Sequence, residues 1–229
     1  MSRGELFNIE SIDEPGLMRL YRDATAYNNL SRIEAVPNGT DDLRIDETPG
    51  KLQSDNGGNK YVIYFVNELN RSEQIMAIGH ELGHLLLINK YYLKPEIEPM
   101  VYLFIENKEI PNTIQNVTHH IILVDLLWEQ YRIRSNLHLN LLRKNMRNFI
   151  SNRTLGQEDA LRLFEYKKLI GDPENVITIH NQMESFRKAY ESADTRFGRY
   201  SFKHMPLSND YKEDIICFLK DIGQIPKGM

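Results

Sequence analysis

Among its 229 residues the chain has one cysteine, Cys217, and one tryptophan, Trp128. A single thiol excludes an intrachain disulfide and any cysteine-based metal site. Long apolar runs are missing as well. Runs such as residues 85–88 and 121–124 fall far short of the length a bilayer demands. The opening stretch MSRGELFNIESIDEPG lacks the apolar centre of a signal peptide. No repeat and no low-complexity tract interrupts the chain. Positive charge is not in excess either: 28 Lys and Arg against 32 Asp and Glu leave a formal charge of -4. That balance offers no long-range attraction to nucleic acid. Together these absences lead us to expect a cytoplasmic protein that contacts neither membrane nor nucleic acid directly.

What is present suits a soluble globular chain, with 41% hydrophobic and 26% charged residues. Its length allows one large domain or two small ones. Leu17, Leu20, Tyr21 and Ala24 share a face and predict a helix over 15–30, with Pro15 in its first turn. Short alternating pieces such as Leu43-Arg44-Ile45 predict small strands, bounded by turns at Pro37-Asn38-Gly39 and residues 55–59. Residues 61–66, YVIYFV, form the strongest strand. After a proline-punctuated stretch with a short element at 100–105, helical patterning predominates. It predicts helices over 113–134, 137–150, 157–170, 173–194 and 209–222. The expected fold class is α+β and mostly helical, a small sheet packed on one central helix and a helical C-terminal region following. A cut near residue 135 would give domains 1–135 and 136–229.

The central helix is the segment SEQIMAIGHELGHLLLIN, residues 72–89. Ile75, Ile78, Leu82, Leu85 and Leu86 give it an apolar stripe, Ser72 is a candidate N-cap, and Glu73 adds acidic charge to the first turn. Within it stands His80-Glu81-Leu82-Gly83-His84, an H-E-x-x-H pattern. At 3.6 residues per turn, His80 and His84 rise one above the other and can enter the coordination sphere of one Zn2+. Glu81 lies about 100° around the helix, too far to be an equal ligand. It is placed to touch a water on the metal and to act as general base. Gly83 costs roughly 1 kcal/mol against Ala in a helix interior. That cost implies close approach by another backbone or side chain.

A catalytic zinc takes three protein ligands and leaves a place for water. The metzincin extension is absent, since Leu87 and Lys90 occupy the positions of its glycine and histidine. A distant ligand is therefore needed. The segment HHIILVDLLWEQYR is apolar nearly all round, and Asp125 and Glu129 share one of its faces. A buried carboxylate there would demand a partner such as a metal. We favour Glu129 as third ligand and Asp125 as acceptor of a liganding histidine's ring N–H, with the exchanged roles as the alternative. The competing reading turns this acidic pair to solvent or pairs it with arginines such as Arg132. His119 and His120 open the same helix and are further candidate ligands. Tyr131, Arg132, His119 and His120 are candidates for stabilising an oxyanion. His138, His180 and His204 are scattered and read as structural or exposed, and Cys217 as a buried thiol.

The segment YVIYFVNELNRSEQIMAIGHELGHLLL, from about residue 60 to 89, resembles the ImmA/IrrE family of zinc metallopeptidases. It shares a hydrophobic strand ending in Asn67, a polar linker, and a helix with H-E-L-G-H and an aliphatic tail. The resemblance implies a zincin-like core, His80 and His84 as zinc ligands and Glu81 as catalytic base. It also implies a protein or peptide substrate, which in some family members is a helix-turn-helix repressor. Residues 123–133, LVDLLWEQYRI, depart from the family and look more like the distant-glutamate helix of gluzincins. The expected activity is a zinc-dependent endopeptidase. A zincin-scaffold binding or regulatory protein without proteolysis is the alternative.

Overall fold

The structure is a computed structural model that describes residues 14–26, 33–37, 43, 49–54, 61–149, 155–171 and 184–228. In chain order these form α1 (Pro15–Thr25), β1 (Ile33–Pro37), β2 (Gly50–Ser54), β3 (Tyr61–Phe65), α2 (Arg71–Asn89) and α3 (Pro99–Phe104). They continue with α4 (Ile110–Tyr131), α5 (Asn136–Phe149), α6 (Gln157–Leu169), α7 (Glu184–Phe197) and α8 (Ser208–Asp221). The architecture is mostly helical with one small mixed sheet. Two compact units divide the chain, one of Met1–Tyr91 with Leu123–Leu141, the other of Tyr92–Ile122 with Leu142–Met229. Each unit takes two separate segments, where the sequence suggested a single cut near residue 135.

In the first unit β3 occupies the middle of the sheet, in the order β1-β3-β2. Its β-branched and aromatic run buries Ile63 and Phe65. β1 runs parallel to it, Ile33 opposite Tyr61, and β2 antiparallel, Leu52 opposite Ile63. Of the strands expected around 43–45, only Leu43 lies among the described residues, and it is buried with Val66, Leu69 and Ala77.

α2 begins two residues earlier than its sequence suggests. Asn70, not Ser72, is the N-cap: its side chain accepts from the Glu73 N–H at 3.1 Å, while Glu73 Oε2 accepts from the Asn70 N–H at 3.0 Å. Such a reciprocal box requires an acidic residue three positions after the cap, which Asn70 has and Ser72 lacks. The helix then buries Ala77, Ile78, Gly79, Leu82, Gly83, Leu85, Leu86 and Leu87. Each fully buried leucine there contributes about 1.5–3 kcal/mol. This apolar surface is broader than the expected stripe, and His80, Glu81 and His84 remain half-buried beside it.

The close approach expected at Gly83 comes from α4. A Cβ on Gly83 would stand 2.6 Å from Leu123 Cδ2. The C-terminal end of α4 is fixed on α1 more tightly still. A Cβ on Gly16 would lie 1.9 Å from the Tyr131 carbonyl oxygen. Tyr131 also donates its hydroxyl proton to Asp23 Oδ2 at 2.6 Å, and Arg19 donates to the Gln130 carbonyl at 3.1 Å. Arg132 then takes a left-handed φ of 59° and turns the chain out of α4.

In the second unit α6 packs on α7 and α7 on α8, burying Phe164, Phe186, Phe197, Tyr200, Tyr211 and Phe218. The helix expected over 173–194 is seen from Glu184 onward, since residues 172–183 lie outside the described set. Cys217 is half-buried rather than fully enclosed. No helix among the described residues is long and apolar enough to cross a membrane.

Gly16→Ala should lower stability by about 2 kcal/mol or more, because the added methyl meets a backbone carbonyl that cannot rotate aside. Chemical denaturation measures this, and a midpoint equal to wild type would show that α1 and α4 do not depend on that contact.

Candidate metal centre

Two imidazoles on one helix form the nucleus of the site. His80 Nε2 and His84 Nε2 stand 3.1 Å apart, with ring centroids 4.7 Å apart and planes at 79°. Two nitrogens on one tetrahedral zinc, with bonds of about 2.0–2.1 Å, lie roughly 3.3 Å from each other. The two rings thus hold their nitrogens near the spacing that a shared ion would impose.

Between them in sequence, Glu81 faces the sheet. The Leu52 N–H, on edge strand β2, donates to Glu81 Oε2 at 3.1 Å. Gly50 lies against the same side chain, a Cβ there falling 3.5 Å from Glu81 Cγ and 3.6 Å from Ala77 Cβ. An edge strand therefore runs along the carboxylate, a placement that the sequence did not reveal.

A third histidine enters from α5. The rings of His80 and His138 lie 5.0 Å apart with planes at 28°. His80 and His138 each offer a ring nitrogen, and these atoms lie within 4.8 Å of each other. Both residues are half-buried. His120, on α4, belongs to the second unit. Its Nδ1 is 2.6 Å from Glu165 Oε1, and the Glu165 side chain is only 6% exposed. If Nδ1 carries the proton to that carboxylate, Nε2 keeps its lone pair.

The other residues singled out by sequence have different surroundings. Asp125 and Glu129 are exposed, as are Trp128 and Arg132. Asp125, Trp128 and Glu129, at i, i+3 and i+4, form one solvent stripe on α4, and Arg132 follows just after the helix ends. The Arg132 guanidinium lies 5.6 Å from the centroid of the Trp128 ring. The burial that argued for a carboxylate ligand is therefore not found at either residue. Tyr131 is buried and directs its hydroxyl to Asp23. His119 is fully buried, its ring Nε2 2.8 Å from the Leu93 carbonyl, with the Tyr211 ring 6.4 Å away. Its neighbour Thr118 shares a 2.9 Å hydrogen bond with the Tyr211 hydroxyl. His204 is exposed beside Ser201, and His180 lies outside the described residues. His138, Glu165 and the Leu52 N–H were all missed. Each belongs to an element that reaches its neighbour only through folding, and no local spacing marks them.

Compared with family models, curated proteins and solved structures, the chain has no match.

Burial pushes the pKa of His119 down from 6.5 to about 4, against the opposing pull of the Leu93 carbonyl. The unfolded chain therefore binds a proton first as pH falls. The stabilisation is fully present above 6.5 and is lost on the way down to about 4. In chelator-treated protein, unfolding free energy should drop by on the order of 3 kcal/mol more for wild type than for His119→Gln across that window. The variant keeps an N–H for Leu93. Equal slopes in the two proteins would contradict this role for His119.

Proposed function

We propose that the protein is a zinc-dependent endopeptidase with a zincin-like core, in which His80 and His84 hold the metal and Glu81 is the general base. The observation that carries this reading is the 3.1 Å separation of the two Nε2 atoms, one helical turn apart, with a carboxylate between them in sequence. The donor set suits zinc, which favours imidazole nitrogen in tetrahedral sites. Zinc held there would polarise a peptide carbonyl and make a bound water acidic enough to attack near neutral pH.

The chain's own residues supply the rest. Glu81 takes the proton that the attacking water loses and delivers it to the leaving amine nitrogen. β2, at the edge of the sheet beside Glu81, is suited to hold an extended peptide by main-chain hydrogen bonds. The Leu52 N–H, now donated to Glu81, aligns the carboxylate with that edge. The resemblance of residues 60–89 to ImmA/IrrE peptidases supports the same chemistry. It suggests a cytoplasmic regulatory protein, such as a helix-turn-helix repressor, as substrate.

Glu81→Gln should retain zinc while peptide-cleaving turnover falls by about 10²- to 10⁴-fold, the usual worth of a positioned base. Turnover equal to wild type would remove Glu81 from the mechanism. Stoichiometric zinc in the wild type without cleavage of any peptide or partner would instead favour a zinc-holding binding protein on the same scaffold.

A further inference from the structure

Within the first unit, the turn that follows α4 is fastened to α2 at two points. Ile133 fills the space beside Gly79, where a Cβ would stand 3.1 Å from Ile133 Cγ2 and 3.2 Å from its Cδ1. Four residues later, Leu137 packs against the buried cluster of Leu43, Val66, Leu69 and Ala77. Gly79 and Ala77 lie one and three residues before His80 on α2, so both contacts hold the start of α5 against the metal-facing turn. The backbone reinforces the corner. Arg132 is left-handed, and the Ile133 N–H donates back to the Leu127 carbonyl at 3.0 Å. His138 is the next residue after Leu137, and this corner is what lays its ring against that of His80.

From that placement we infer that His138 is the third protein ligand of the metal, making an all-imidazole site in place of a histidine pair with a distant carboxylate. This rests on the metal reading of α2 proposed above. Two imidazoles bound to one tetrahedral zinc through bonds of about 2.0–2.1 Å have centroids roughly 5 Å apart. The observed separations are 4.7 Å for His80 with His84 and 5.0 Å for His80 with His138. The ligand atoms of His80 and His138 also lie within 4.8 Å of each other. Glu129 and Asp125, the carboxylates that the sequence offers for this role, sit on the solvent stripe of α4. An ion held on three imidazoles carries its full double charge, since no ligand is anionic. Such a site favours zinc over magnesium or calcium, which take oxygen ligands.

Metal affinity tests the inference without reference to catalysis. Competition with a chromophoric chelator gives the zinc dissociation constant for wild type and for His80→Ala, His138→Ala, His120→Ala and Glu129→Gln. The absorption of the cobalt(II)-substituted proteins reports the ligand field in parallel. His138→Ala should bind zinc about 100-fold more weakly or worse, beyond the 10- to 100-fold typical of a residue that only orients a ligand. It should also lose the zinc-induced rise in melting temperature while melting like wild type in chelator, which shows that the fold is intact. Glu129→Gln should stay within about threefold of wild type, and the cobalt spectrum should change in His138→Ala alone of these two. Wild-type affinity in His138→Ala, or the loss appearing in Glu129→Gln or His120→Ala with His138→Ala unaffected, overturns the assignment of His138. Wild-type affinity in His80→Ala would instead overturn the metal reading on which it rests.

Discussion

One turn of α2 fixes the distance between His80 and His84, and the other parts of the site take their places from that turn. A helix can hold two imidazole nitrogens 3.1 Å apart only if its own position is settled. Here burial settles it. Leu82, Leu85, Leu86 and Leu87 are fully enclosed, and the Asn70–Glu73 box defines where the helix begins. The half-buried residues His80, Glu81 and His84 are left along the remaining face. β2 then runs beside Glu81, and the corner between α4 and α5 closes over His80. Packing on the apolar faces therefore orients the polar one.

The small residues of α2 have a part in this that their lack of side chain conceals. Gly83 admits Leu123, and Gly79 admits Ile133. Each absent methyl is filled by a side chain of α4 or of the turn that follows it. The helix gives up roughly 1 kcal/mol at each glycine relative to alanine. The contacts so admitted bring the C-terminal half of α4 and the first turn of α5 near the histidines.

How much of this could be read from the sequence depended on range. The strand at 61–65, the helix behind it and the vertical alignment of His80 over His84 are local properties of spacing, and they were legible. The cap was misplaced by two residues: Ser72 and Asn70 are both good capping types, but only Asn70 has an acidic residue three positions on, Glu73, to close the reciprocal box. The acidic pair on α4 was read as buried from its apolar neighbours. In the structure Asp125, Trp128 and Glu129 form the helix's outward stripe. One exposed tryptophan, 47% accessible, was enough to disguise that face as apolar. His138 carried no signal, since what places it is a left-handed turn at Arg132 and two packing contacts distant in sequence. The histidines also show how little residue type alone decides. His119 is enclosed and bonded to a carbonyl, whereas its neighbour His120 faces a carboxylate.

The chemistry proposed for α2 depends on zinc bound by imidazole. Zinc K-edge X-ray absorption on the loaded protein tests that most directly. The account predicts three imidazole ligands at about 2.0–2.1 Å, with one further oxygen at a similar distance. A coordination shell without imidazole scattering would contradict it.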